Sequence, residues 1–173
     1  MLASMAALGE DACALYEVLH ELAHRQLRRS SGVTLNTTAL MHEAWIKVAK
    51  SAAPQFESRG HFLAVAAMAM RQVVVDYGRR RRAQRRGDGK PVTSSGLSSV
   101  GADARVDELL AVDAALDKLA AVDERLARVV EFRVFAGLDE EEIARTLDVN
   151  VRTVRRDWRK ARAFIISELD RDR

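Results

Sequence analysis

The stretch Leu138–Phe164, LDEEEIARTLDVNVRTVRRDWRKARAF, decides how the chain is read. Asp139 followed three residues later by Glu142 is an N-cap and N3 pair, which satisfies two orphan amides and places acid at the positive end of a helix dipole. Ile143, Ala144 and Leu147 recur at helical spacing and give that short helix one apolar face. Ala144 is small enough to let a second helix cross closely. Val149 plugs the turn, Asn150 caps the second helix, and Val154 and Trp158 supply its buried side. A small residue, a turn plug and a second-helix valine at this spacing predict a helix-turn-helix, whose second helix enters the major groove of DNA. Asp148 stands where the turn needs a left-handed residue, a conformation aspartate adopts at some cost.

The outward side of that second helix carries Arg152, Thr153, Arg155, Arg156, Arg159, Lys160 and Arg162. Arginine binds a guanine edge bidentately or pairs with phosphate, and residues near the helix N-terminus reach bases first. Arg152, Thr153 and Arg156 are therefore expected near base edges, and Arg155, Arg159 and Lys160 on the backbone. A solvated basic helix is the plainer reading of the same residues. Motif and charge point independently to DNA, so the DNA reading is preferred.

Outward from this motif the pattern stays helical. Leu8, Cys13, Leu15, Val18, Leu19, Leu22 and Leu27 predict a first amphipathic helix ending near Ser30-Ser31-Gly32. Asn36 or Thr37 can cap a second, with Leu40, Met41, Ala44, Trp45 and Val48 on one side. Ser58 can cap a third through Phe62, Val65, Ala66, Ala69, Val73 and Tyr77. The Val73-Val74-Val75 triplet favours strand by itself, but its flanks are strong helix formers and helix is expected there. Residues 87–104, rich in Gly, Ser and Pro, cannot bury enough surface to offset their ordering entropy and predict a flexible linker. The expected fold is all-α: an N-terminal helical bundle over 8–86, a linker over 87–104 and a helix-turn-helix domain over 105–170.

The chain has 173 residues and a formal net charge of +3. Residues 1–104 hold 14 basic and 9 acidic side chains, and residues 105–173 hold 14 and 16, so the excess lies in the N-terminal part. The single cysteine, Cys13, excludes a disulfide framework and fits a reducing interior. Glu10 and Asp11 interrupt the N-terminal segment before an apolar run develops, which argues against a signal peptide. No stretch approaches the roughly 18 apolar residues of a membrane helix. A cytoplasmic protein is expected.

The run Asp76-Tyr77-Gly78-Arg79-Arg80-Arg81-Arg82-Ala83-Gln84-Arg85-Arg86 leaves the third helix for the linker. Arginines this dense repel one another unless a polyanion neutralises them. In order along the chain stand ALMHEAWIKVAK, FESRGHFLAVAAMAMRQVVVDYGRRRRAQRRG, the linker and the helix-turn-helix ending RRDWRKARAF. From about Leu15 to Leu169 this order resembles the extracytoplasmic-function (ECF) sigma factors, in the branch whose third helix ends Asp-aromatic-x-Arg-Arg-Arg-Arg.

The resemblance implies a sigma factor that binds core RNA polymerase and directs promoter recognition, melting and transcription initiation. It implies polymerase contacts at His42, Glu43, Ile46 and Lys47, with Leu40, Trp45 and Val48 serving the core. For the minus-ten element it implies phosphate contacts at Arg71, Arg79 and Arg80, and an unstacked base against His61 or Phe62, although Phe62 fits a core position equally. The helix-turn-helix would read the minus-thirty-five element as duplex. Core polymerase and promoter DNA are the implied partners, and an anti-sigma factor is a further candidate. No cofactor, metal site or catalytic residue is implied.

Two other readings remain at this stage. His20-Glu21-Leu22-Ala23-His24 matches the H-E-x-x-H zinc-hydrolase pattern, with Cys13 two turns earlier. The pattern is short, and no third ligand follows at a recognisable spacing. The other is a stand-alone helix-turn-helix repressor or activator, with the N-terminal unit serving dimerisation.

Overall fold

The computed structural model describes residues 12–29, 35–50, 56, 58–87 and 96–171. Among them are seven α-helices: α1 Ala12–Arg29, α2 Thr37–Lys50, α3 Arg59–Gly87, α4 Gly96–Val122, α5 Glu124–Val130, α6 Glu140–Thr146 and α7 Val151–Arg171. A π-helical segment, Glu131–Ala136, follows α5 directly. The all-α expectation holds.

The helix starts lie where capping chemistry puts them. The Asn36 carboxamide oxygen accepts from the Ala39 amide at 2.7 Å, and the Ser58 hydroxyl oxygen accepts from the His61 amide at 3.1 Å. The Asp123 carboxylate caps α5 through the Arg125 and Leu126 amides. Residues 73–75 are helical and buried, so packing overrides the modest cost of β-branching. Leu8 lies outside the described residues.

α1, α2 and α3 form the N-terminal bundle, closed over Leu22, Leu40, Phe62, Met70 and Val74. Inside it the Gln26 amide donates to the Ala67 carbonyl at 3.1 Å, an interhelical bond that satisfies a buried polar group. Phe62 is 2% exposed and meets Phe56 edge-on, with ring centroids 4.9 Å apart. That corrects one expectation: Phe62 is a core residue and offers no face to a base.

Residues 105–138, for which the sequence reading gives no element bounds, form most of α4, all of α5 and the π-helical segment. Leu116, Leu119, Leu126, Ala127, Val130 and Ala161 make a second apolar cluster where α4, α5 and α7 meet. Gly137, with φ of 70°, ends the π-helical segment in the left-handed conformation, and the Leu138 amide donates back to the Phe132 carbonyl.

Two boundaries differ from the sequence reading. α3 continues through the arginine run to Gly87, and α4 already begins at Gly96, inside the expected linker; residues 88–95 lie outside the described residues. Arginine is a good helix former, and the repulsion within the run is relieved by α4: Arg81 pairs with Asp103 at 3.2 Å and Arg82 with Asp107 at 3.6 Å.

The C-terminal helices lie against the bundle. Val129, Phe132, Ala136, Leu138, Ile143 and Val154 belong to the same apolar cluster as Leu22 and Phe62. α3 and α4 meet at Gly78, where a Cβ would lie 3.5 Å from Val106 and 3.6 Å from Leu109. At the other end of α3, a Cβ on Gly60 would approach the Thr146 hydroxyl of α6 to 2.9 Å.

Since Phe62 fills the bundle core, Phe62→Ala should cost about 3–5 kcal/mol of stability, read as a lower midpoint in urea without any DNA present. An unchanged midpoint combined with weakened DNA binding would return this side chain to the interface.

Candidate nucleic-acid interface

The helix-turn-helix is built as its sequence dictates. Asp139 and Glu142 form a complete capping box: the Asp139 carboxylate accepts from the Glu142 amide at 2.7 Å, and the Glu142 carboxylate accepts from the Asp139 amide at 3.0 Å. Ile143 and Ala144 are buried, and Val149 packs against them while its amide donates to the Ala144 carbonyl. Asp148 adopts φ of 52°, the left-handed conformation expected of the turn. The Asn150 side chain accepts from the Arg152 amide at 2.8 Å and starts α7, whose Val154 is fully buried.

The start of α7 presents an open concavity of about 630 Å³ lined by Asn150, Arg152, Thr153, Arg156 and Arg159. Arg152, Arg156, Arg159 and Lys160 are exposed, and Thr153 is half-buried beside them. Arg155 is exposed too, but its Nε donates to Glu140 at 2.6 Å, and the same carboxylate accepts from Arg133 at 3.0 Å. These two hydrogen bonds hold the Glu140 carboxyl below the ordinary carboxylate range and push the Arg155 guanidinium upward. The Arg133 guanidinium lies 4.7 Å from the centre of the Trp158 ring, tying the π-helical segment to α7.

A further contributor escaped the sequence reading. Asp157 is buried and accepts from Arg125 at 2.8 Å and, more loosely, from Arg156 at 3.3 Å. It thereby links a cation on α5 to the recognition helix. Its register was the available signal: a carboxylate beside Val154, Trp158 and Ala161, on the buried stripe of a basic helix, needs an internal cation.

The N-terminal candidates are placed differently. His42 and Glu43 are exposed on α2, Ile46 is 46% exposed, and Lys47 donates to Asp76 at 2.7 Å. Arg79 and Arg80 are exposed, and Arg79 pairs with Asp113 at 3.0 Å. His61 is half-buried, its ring edge-on to Phe56. Arg71 is turned inward: its side chain is 11% exposed and donates to Asp113 at 2.5 Å and Glu131 at 2.7 Å. In this arrangement it has no access to phosphate, because α4 and the π-helical segment cover it. On α1, His20 and His24 are exposed and Glu21 lies near Arg25; no group of three metal-ligating side chains is assembled among the described residues.

A helix-turn-helix whose recognition helix opens on a cationic concavity defines a DNA-binding protein. The family model for the ECF sigma factor matches residues 10–171, nearly the whole chain. No curated protein and no solved structure matches the chain. The chain belongs to the ECF sigma factor family and acts in transcription initiation, where the family's partners are core RNA polymerase and promoter DNA. No helix among the described residues is long and apolar enough to cross a membrane.

Because Glu140 titrates below its ordinary value of 4.5 when folded, its contribution to stability is present above that pH and is lost as pH falls through the folded value. Glu140→Gln should therefore flatten the acid limb of a urea-stability profile between about pH 3 and pH 5. A variant whose difference from the parent protein stays constant across that range would show that Glu140 is not coupled to its arginines.

Proposed function

We propose that this sigma factor recognises a two-part promoter with its two helical units, 8–86 and 105–170, held apart on core polymerase by the segment between them. The observation that carries the reading is the cationic concavity at the start of α7. Arg152, Thr153 and Arg156 lie at the N-terminal end of the recognition helix and read bases of the minus-thirty-five element, while Arg155, Arg159 and Lys160 bind its phosphates. Arg155 reaches phosphate by exchanging Glu140 for it.

The exposed face of α2, with His42, Glu43, Ile46 and Lys47, docks on the polymerase. Arg71, Arg79 and Arg80 bind the phosphates of the melted minus-ten strand, and His61 meets an unstacked base. The chain performs no covalent chemistry. Melting is favoured because single-stranded DNA held on α3 is bound more tightly than duplex, and polymerase supplies the effective concentration that lets two weak sites act as one. An anti-sigma factor would compete for the α2 face.

Transcription in vitro with core polymerase on a genomic template library tests the reading. Initiation at a discrete set of two-part promoters is expected, and initiation nowhere would overturn it. In the same assay Arg156→Ala should cost about 1–3 kcal/mol and relax preference at a single upstream position. An equal loss on every template would make Arg156 a phosphate contact instead.

A further inference from the structure

The arginine end of α3 is already occupied. Arg71 binds Asp113 and Glu131, with Asp117 at 3.7 Å. Arg79 takes the second oxygen of Asp113, while Arg81 and Arg82 pair with Asp103 and Asp107. Four arginines on one side of a helix thus face carboxylates spaced along a second helix, as they would face phosphates spaced along a strand. The pairing is backed by the close approach of α3 and α4 at Gly78 and by the apolar contact of Val129 and Phe132 with the bundle.

This arrangement cannot be the one that works on a promoter. Elements named for positions ten and thirty-five are separated by about 25 base pairs, roughly 85 Å at about 3.4 Å per pair. A compact chain of this length has a radius of gyration of about 16 Å. A molecule whose recognition domain lies against α3 cannot reach both elements.

We propose that α4 is an intramolecular mimic of the promoter strand: its carboxylates, with Glu131, mask the arginine face of α3 in the free chain, and the chain must open before that face can bind single-stranded DNA. The partner class that displaces α4 is a nucleic-acid backbone presented while polymerase holds the two units apart. This inference rests on the reading above for the role of α3, but its binding test does not require polymerase.

A staple across the contact tests it. Gly78→Cys with Val106→Cys, in a Cys13→Ser chain whose recognition helix is silenced by Arg152→Ala and Arg156→Ala, joins α3 to α4 on oxidation. The probe is a fluorescent 20-nucleotide single-stranded DNA at low salt, followed by anisotropy. The reduced protein should bind at least about tenfold more tightly than the oxidised one, since several phosphate contacts are at stake. Equal affinities would overturn the proposal.

Should the stapled chain fail to fold, Asp113→Asn with Glu131→Gln serves as the second variant. It should tighten binding of the same oligonucleotide several-fold and raise the radius of gyration in X-ray scattering; unchanged or weaker binding at an unchanged radius would refute masking. With the recognition helix restored, the staple is also assayed with core polymerase. Transcription only after reduction supports masking, and equal transcription in both redox states refutes it. A redox-dependent affinity without transcription in either state retains masking and rejects the promoter reading instead.

Discussion

The guanidinium of Arg71 is the constraint around which the molecule is arranged. A cation this enclosed is tolerated only when carboxylates and hydrogen bonds replace its lost hydration, because the desolvation of an unpaired charge costs several kcal/mol. Asp113 supplies one oxygen from α4 and Glu131 another from the π-helical segment, while the Phe135 ring lies 5.5 Å below the guanidinium. The contact therefore fixes three elements at once: the rotation of α3, the register of α4 along it, and the position of the π-helical turn. Glu131 shows the strain of the arrangement. Burial pushes its carboxyl above the ordinary range, and Arg71 opposes that shift without cancelling it.

The charge distribution follows from this. The C-terminal unit is net acidic although it carries the recognition helix, which is puzzling while its charges are averaged. Resolved in space, they separate: Asp103, Asp107, Asp113 and Asp117 lie on α4 toward the arginine end of α3, and Arg152, Arg156, Arg159 and Lys160 cluster at the start of α7. One acidic and one basic surface on the same unit give it two electrostatic appointments, one internal and one with DNA.

Local signals were legible in the sequence wherever a short-range rule decides the structure. The Asp139–Glu142 box, the Asn150 and Ser58 caps and the left-handed Asp148 all depend on residues a few positions apart, and all stand as read. What escaped depends on partners far along the chain. Arg71 looks like a surface cation because the residues that enclose it lie more than 40 positions away, and Asp157 looks like a stray acid until Arg125 is brought to it. The arginine run read as the end of a helix because repulsion was judged without the carboxylates that answer it. The polar composition of residues 96–104 likewise said nothing of Asp103 meeting Arg81.

The shared carboxylate of Glu140 bears on how contacts with DNA are counted. Arginines that leave water for a phosphate displace condensed cations from the duplex, and the steepness with which affinity falls as salt rises reports how many do so. Arg155 starts from an internal partner. When it moves to a phosphate it abandons an anion that must gather cations of its own, and the net release shrinks. A count of backbone contacts taken from salt titration of this helix-turn-helix will come out smaller than the number of arginines resting on the duplex.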